Sequence, residues 1–88
     1  MRIDKFLKTS RVIKRRKVAK DALLLDRIYL NNNVVKPSKK VKIDDLITLH
    51  LGMKIITIKV LSLNPKDSDL MYQLISEEKR SSWSFFNV

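Results

Sequence analysis

A chain of 88 residues, 44% hydrophobic and 32% charged, has the makings of one small folded domain and not of a disordered tail. It has no cysteine, which rules out disulfides and thiolate metal sites, and no apolar run near the ~20 residues a membrane-spanning helix needs. A formal net charge of +10 asks for an acidic partner, with phosphodiester backbones first and an anionic membrane surface second.

The opening Met1-Arg2-Ile3-Asp4-Lys5 carries no long apolar stretch behind its charges, so no secretory signal is expected. Ile3, Phe6 and Leu7 fall at i, i+3, i+4, which predicts a short amphipathic helix over residues 3–9 with Lys5 and Lys8 outward. Val12 and Ile13 form a brief apolar patch in a connecting turn. A second helix is predicted from Lys14 or Arg15 to about Leu25. Its buried stripe is expected to be Val18, Ala19, Ala22 and Leu23 or Leu25, with Lys17, Lys20 and Asp21 toward solvent. These first 20 residues hold nine Lys or Arg and one acid, whereas residues 21–88 hold ten against eight acids. The binding face is therefore expected in the first twenty residues.

After Asp26 the periodicity changes from helical to alternating. Arg27 to Leu30 predicts a strand, Asn31-Asn32-Asn33 a tight turn and Val34-Val35 the return strand. Asn suits such a turn because it tolerates positive φ better than other non-glycine residues. Pro37 to Lys40 reads as loop and Asp44-Asp45 as a second turn. Leu46 to Leu51 is a β-rich run, Gly52-Met53 a third turn, and Lys54 to Leu63 a further strand with Ile56, Ile58 and Val60 on one face. Asn64 to Asp69 is expected to be loop. Leu70 to Ile75 reads as a strand or a short helix. The tail from Glu77 to Val88 carries Trp83, Phe85 and Phe86, which can fold back on the core, meet a partner or stack on bases. The class is thus α+β: two short N-terminal helices on a small, mostly antiparallel sheet, with a domain over 1–63 and an extension over 64–88 that packs on it or extends it.

The start of the second helix, Lys14-Arg15-Arg16, offers unpaired backbone N–H groups at a positive dipole end, where anions settle. Cations there oppose the dipole, so tolerating them suggests a position kept for phosphate; a merely solvated charge run is the other reading. Asp4 can cap the first helix, or it can orient Arg2 or Arg16 by a paired hydrogen bond. The candidate nucleic-acid-binding residues are Arg2, Lys5, Lys8, Arg11, Lys14, Arg15, Arg16, Lys17 and Lys20. Arginines rank first because their planar fork matches phosphate and base edges; the lysines supply mostly salt-dependent affinity.

Arg2-Ile3-Asp4-Lys5-Phe6-Leu7, followed by Arg16-Lys17-Val18-Ala19, resembles the RNA-binding domain family first seen in ribosomal protein S-four. That family opens R-[LI]-D-x-x-L and places R-x-x-A at the start of its second helix. Its next signature, G-x-[IV]-x-[VI]-N-G, falls on Asp26 to Asn32, and its later G-D turn on Asp44-Asp45. Three family glycines are thus replaced by Asp26, Asn32 and Asp44, residues that tolerate left-handed backbone, so the turns should survive at some cost in stability. The Ser usual before the second-helix Arg is Arg15 here, which puts the helix cap in doubt. The likeness covers residues 1 to about 63, more weakly Met71-Tyr72 to Glu78. Within the family the whole chain is similar to bacterial ribosome-associated quality-control factors, cousins of the small heat-shock protein that rescues blocked large subunits.

The resemblance implies docking on large-subunit ribosomal RNA and peptidyl-site tRNA, and help to an RqcH-type factor that adds untemplated alanines to a stalled nascent chain. By position it makes Arg2 and Arg16 the leading contacts, with Lys14 and Arg15 beside them. A cytoplasmic monomer needing no cofactor is expected, and so is the absence of catalysis. His50 stands alone in a strand, Asp44-Asp45 and Glu77-Glu78 are not placed as acid–base couples, and there is no phosphate-binding glycine loop. The alternatives are a heat-shock-type subunit-recycling factor and a basic membrane-surface or protein-interaction module. The short helices, better used as core, argue against the membrane.

Overall fold

The computed structural model describes residues 1–52 and 54–79. Helix α1 spans Ile3–Thr9 and α2 spans Arg16–Leu24. Five strands follow: β1 (Ile28–Leu30), β2 (Asn33–Val34), β3 (Leu46–Leu51), β4 (Lys54–Val60) and β5 (Tyr72–Lys79). All pairings are antiparallel, in the order β2-β1-β3-β4-β5.

One apolar cluster joins helices and sheet. Ile3, Phe6 and Leu7 from α1 and Ala19 and Leu23 from α2 are buried together with Ile28, Leu30, Ile47, Leu49, Ile56, Ile58 and Val60. The alternation of Ile56, Ile58 and Val60 behaves as the period-two pattern requires. Ile13 is buried in the connection between the helices, as expected for that apolar patch.

Several boundaries differ from expectation, each for a local reason. Helix α2 starts at Arg16, because Arg15 has extended backbone (φ −116°, ψ 128°). The buried stripe of α2 reduces to Ala19 and Leu23, with Ala22 packed beside it; Val18 is 49% exposed and Leu25 63%. A helix this short meets the core along one narrow line, and Val18 and Leu25 lie off it. Strand β1 begins at Ile28 and β2 covers Asn33–Val34, one residue short of, or ahead of, the expected limits. Strand β4 stops at Val60, where the chain leaves the sheet and the N–H groups of Leu61 and Ser62 both turn to the Met71 carbonyl (2.8 and 3.2 Å). Asn64 to Asp69 is no open loop. It is largely 3-10 helical over Pro65–Leu70, with a kink at Asp67 (φ −97°, ψ 33°), begun by Pro65 and capped by Asn64, whose Oδ1 accepts from the Lys66 N–H at 3.0 Å. Of the two readings of Leu70 to Ile75, the strand is formed from Tyr72 onward, while Leu70 ends the 3-10 helix: β5 pairs with β4 from Tyr72 to Lys79, with a bulge that leaves Ile75 as the extra residue. Trp83, Phe85 and Phe86 lie outside the described residues.

The turns explain how so few glycines suffice. Asp26 (φ 57°), Asn31 (φ 50°), Asn32 (φ 71°) and Asp44 (φ 75°) all take left-handed backbone. At the end of α2, the Asp26 N–H bonds to the Leu23 carbonyl (3.2 Å) and the Arg27 N–H to the Ala22 carbonyl (3.0 Å), the Schellman pattern usually built on glycine. Asn31 and Asn32 form the hairpin loop between β1 and β2, both with positive φ as a type I′ turn demands. The Asn31 side chain also bridges to Leu46 N (2.9 Å) and Asp45 Oδ1 (3.1 Å), tying the hairpin to the start of β3.

Candidate nucleic-acid interface

The start of α2 has the character of an anion site. Arg15 is its N-cap, with no side-chain cap hydrogen bond, and the first turn holds no acid. The first intrahelical bond runs from the Ala19 N–H to the Arg15 carbonyl (3.1 Å). The N–H groups of Arg16, Lys17 and Val18 therefore precede the helical ladder, at the positive end of the dipole. Each cation placed there opposes the dipole by roughly 0.3–1 kcal/mol. A bound phosphate would relieve that repulsion and satisfy the free donors together.

Asp4 is the second piece, and it serves the first turn of α1 and Arg2 together. The residue is 1% exposed although charged. Its Oδ1 accepts from the Lys5 backbone N–H (2.7 Å), and its Oδ2 accepts from Arg2 Nη2 (3.2 Å). One carboxylate thus satisfies a first-turn donor of α1 and aims a guanidinium. Arg2 itself is the N-cap residue of α1, and its side chain stays 47% exposed. Much of its donor fork remains open to a ligand while the buried carboxylate holds it.

The other expected site residues fall on the same helical head. Lys5 and Lys8 are exposed on α1; Arg11, Lys14 and Arg15 are exposed in the connection; Lys17 and Lys20 are exposed on α2, which Arg16 opens. Arg2 and Lys20 line one groove. Arg11 has left-handed backbone (φ 66°), strained for a residue with a side chain.

A third group was not among the expected site residues. The segment after β2 is stitched to the N-terminus: the Ile3 N–H donates to the Lys39 carbonyl (2.7 Å), the Val41 N–H to the Met1 carbonyl (2.9 Å), and Arg2 and Lys40 form a β-bridge. Lys36, Lys39 and Lys40 are exposed there, and Lys36 lines the groove that Arg2 lines. The clue in the sequence was three lysines within five residues of an otherwise charge-balanced stretch. Only the fold brings them beside Arg2.

Titratable groups of the sheet are packed or paired. His50 packs against Tyr29, with ring centroids 5.2 Å apart. Glu77 pairs with Lys54, and Asp44 with Lys59. Among the described residues no group of three or more His, Asp or Glu could hold a metal ion, and no helix is long and apolar enough to cross a membrane.

Two short helices rich in exposed cations, with a buried aspartate holding Arg2, seated on a five-stranded antiparallel sheet, define a small basic α+β domain of the nucleic-acid-binding kind. The sequence profile of the S4 domain matches residues 1–47, and the chain belongs to that family. It is 42% identical over 83 residues to the RQC P-site tRNA stabilizing factor of Bacillus subtilis, with 90% of this chain and 96% of that protein aligned. It is 41% identical over 83 residues to the protein of the same name from Streptococcus pneumoniae, covering 90% and 94%. Among solved structures it is similar to the trimeric Heat Shock Protein 15 of Vibrio cholerae, with a TM-score of 0.76, 25% identity, and 99% of this chain and 87% of that one covered. The solution structure of the hypothetical protein HP1423 gives a TM-score of 0.73 at 34% identity, covering 86% and 98%. Within the S4 domain family the chain's place is thus with the RQC P-site tRNA stabilizing factors.

Proposed function

We propose that this protein is a non-catalytic RNA-binding factor of ribosome-associated quality control, working in the cytoplasm as a monomer. It docks on ribosomal RNA of the large subunit and on peptidyl-site tRNA, and so steadies a stalled complex while an RqcH-type factor adds alanines to the nascent chain. The observation that carries this is the buried Asp4 holding an exposed Arg2 in a head of nine cations and one acid. A buried carboxylate spent on orienting a surface arginine makes sense when the arginine has a partner of its own. The names of the relatives point to the P-site tRNA as one such partner.

The division of labour follows from the chemistry. Arg2 and Arg16 supply directional contacts to phosphate or base edge, and the uncapped N–H groups of α2 receive a further phosphate. Lys5, Lys8, Arg11, Lys14, Arg15, Lys17 and Lys20 provide the non-directional attraction that displaces counterions. The factor performs no bond chemistry; it lowers the free energy of one ribosomal state by binding it.

The test is co-sedimentation with large subunits at fixed salt. The wild-type chain is expected in the ribosomal fraction, and an Arg2→Ala, Arg16→Ala double variant in the supernatant. Unchanged sedimentation of a folded double variant would remove the proposed contacts. A second reading, which the sequence resemblance leaves open, is recycling of blocked large subunits without tailing. Alanine tails profiled in a deletion strain separate the two: tails vanish under the first and persist under the second.

A further inference from the structure

One groove beside Arg2 has a character that a phosphate-binding head does not require. It lies between the second half of α2 and the chain from Val34 to Ser38, with a volume of about 610 Å³. Leu24, Val34 and Val35 give it an apolar wall, and two of these are largely open to solvent: Leu24 is 60% exposed and Val34 46%. Arg2, Lys20 and Lys36 border the same groove, against one acid, Asp26.

The local sequence builds it. Lys20 and Leu24 are four residues apart on α2 and share a face. The Schellman turn at Asp26 then ends the helix, so Leu24 stops over the groove with no further turn to cover it. The left-handed Asn31 and Asn32 bring Val34 back along β1 to face it. Single exposed apolar residues are ordinary on a surface. Two from different elements, converging inside a rim of three cations, form a site of mixed chemistry, apolar within and positive around.

We propose that this groove holds a single unpaired nucleotide of the bound RNA. Its base lies against Leu24, Val34 and Val35, and its flanking phosphates meet Arg2, Lys20 and Lys36. The proposal rests on the RNA-binding function above and names which part of the RNA this site selects. A fully paired helix shows phosphates and riboses, with its bases stacked inside, and gives the apolar wall nothing to cover. A bulged or loop nucleotide offers both an apolar face and a charged backbone. The volume falls within the ~300–1,000 Å³ of sites that enclose small organic groups. Ser38, on the same groove, supplies a hydroxyl for a base edge or a 2′-OH. Arg2 belongs both to this rim and to the Asp4 pair, so the nucleotide here is part of the RNA engaged by the head.

The experiment compares two RNA hairpins closed by a non-nucleotide linker, so that neither has loop nucleotides and they differ only by one bulged nucleotide, each titrated into the full chain at fixed salt. The bulged hairpin is expected to bind about fivefold more tightly, the gain from covering part of two aliphatic side chains. The methyl resonances of Leu24, Val34 and Val35 should shift with the bulged hairpin and stay in place with the paired one. Leu24→Ser should bring the bulged hairpin down to the affinity of the paired one. Leu70→Ser, an equally exposed change on the 3-10 helix, should keep the difference. Equal binding of both hairpins with unmoved methyls overturns the nucleotide groove and leaves the RNA-binding function standing. Failure of both hairpins to bind at low salt overturns the function and the groove together. Methyl shifts with phosphatidylglycerol vesicles but with neither RNA would assign the groove to a lipid surface and overturn the proposal.

Discussion

The helical head and the β-sheet treat charge in opposite ways. In the sheet, cations meet acids: Lys54 Nζ lies 3.5 Å from Glu77 Oε1, and Lys59 Nζ 3.5 Å from Asp44 Oδ1. In the first 20 residues nine cations stand against a single acid, and that acid is buried. The sheet pairs are partly exposed, and such pairs contribute about 0–1 kcal/mol each. Their effect is to cancel charge, which leaves the sheet a neutral platform for the core. Stability and binding are thereby assigned to different regions, and substitutions can test whether the separation is real.

The largest expected effect lies in the platform. Ile58→Ala, at a fully buried position of β4, should cost about 2–5 kcal/mol of stability, read from urea unfolding. RNA affinity per folded molecule, measured well below the unfolding midpoint, should not change. A fall in affinity there would show that head and sheet are not separable and would break the comparison.

Asp4→Asn should have the next largest effect and strike both properties, because Asp4 is where they meet. The substituted amide turns a donor or a weaker acceptor toward Arg2 and the Lys5 N–H, costing about 1–3 kcal/mol of stability. RNA affinity should fall about tenfold, or ~1.4 kcal/mol, as Arg2 loses its orientation. Lost stability with unchanged affinity would make Arg2 a structural partner of Asp4 rather than a contact.

Much of the platform could be read from residue patterns. The i, i+3, i+4 spacing of Ile3, Phe6 and Leu7 placed α1, and Ile56, Ile58 and Val60 placed the buried face of β4, because both are periodic and close to ideal. The Asp and Asn residues standing where the family has glycine were expected to take left-handed backbone, and Asp26, Asn32 and Asp44 do. What failed was context. Val18 has the spacing of a buried residue, but α2 touches the core along too narrow a line to cover it. Asn64 and Pro65 read as loop residues, yet an Asn cap followed by Pro also starts a 3-10 helix, and that is the use made of them. At the interface, the charge of the first twenty residues was plain. The approach of Lys36, Lys39 and Lys40 was not, since it depends on bonds between Met1, Ile3 and a segment more than thirty residues away.

Arg11 carries the smallest prediction and the most direct one, because its two effects should have opposite signs. It follows the C-cap Ser10 of α1 with φ 66°, donates its N–H to the Lys8 carbonyl (3.0 Å), and occupies the position where helices usually place glycine. Left-handed backbone costs a residue with a side chain about 1–2 kcal/mol, and part of what Arg11→Gly regains is lost to the greater freedom of the unfolded chain. A net stabilisation of about 0.5–1 kcal/mol is expected, seen as a higher urea midpoint at unchanged slope. RNA binding should weaken, and the slope of log affinity against log salt should flatten by up to ~0.9, the share of one phosphate contact. Strain retained at the cost of stability would then be explained by the cation it positions. A variant that gains stability and keeps both affinity and salt slope would show instead that the position merely tolerates arginine, and the charge that matters in the head would have to be sought nearer Arg2.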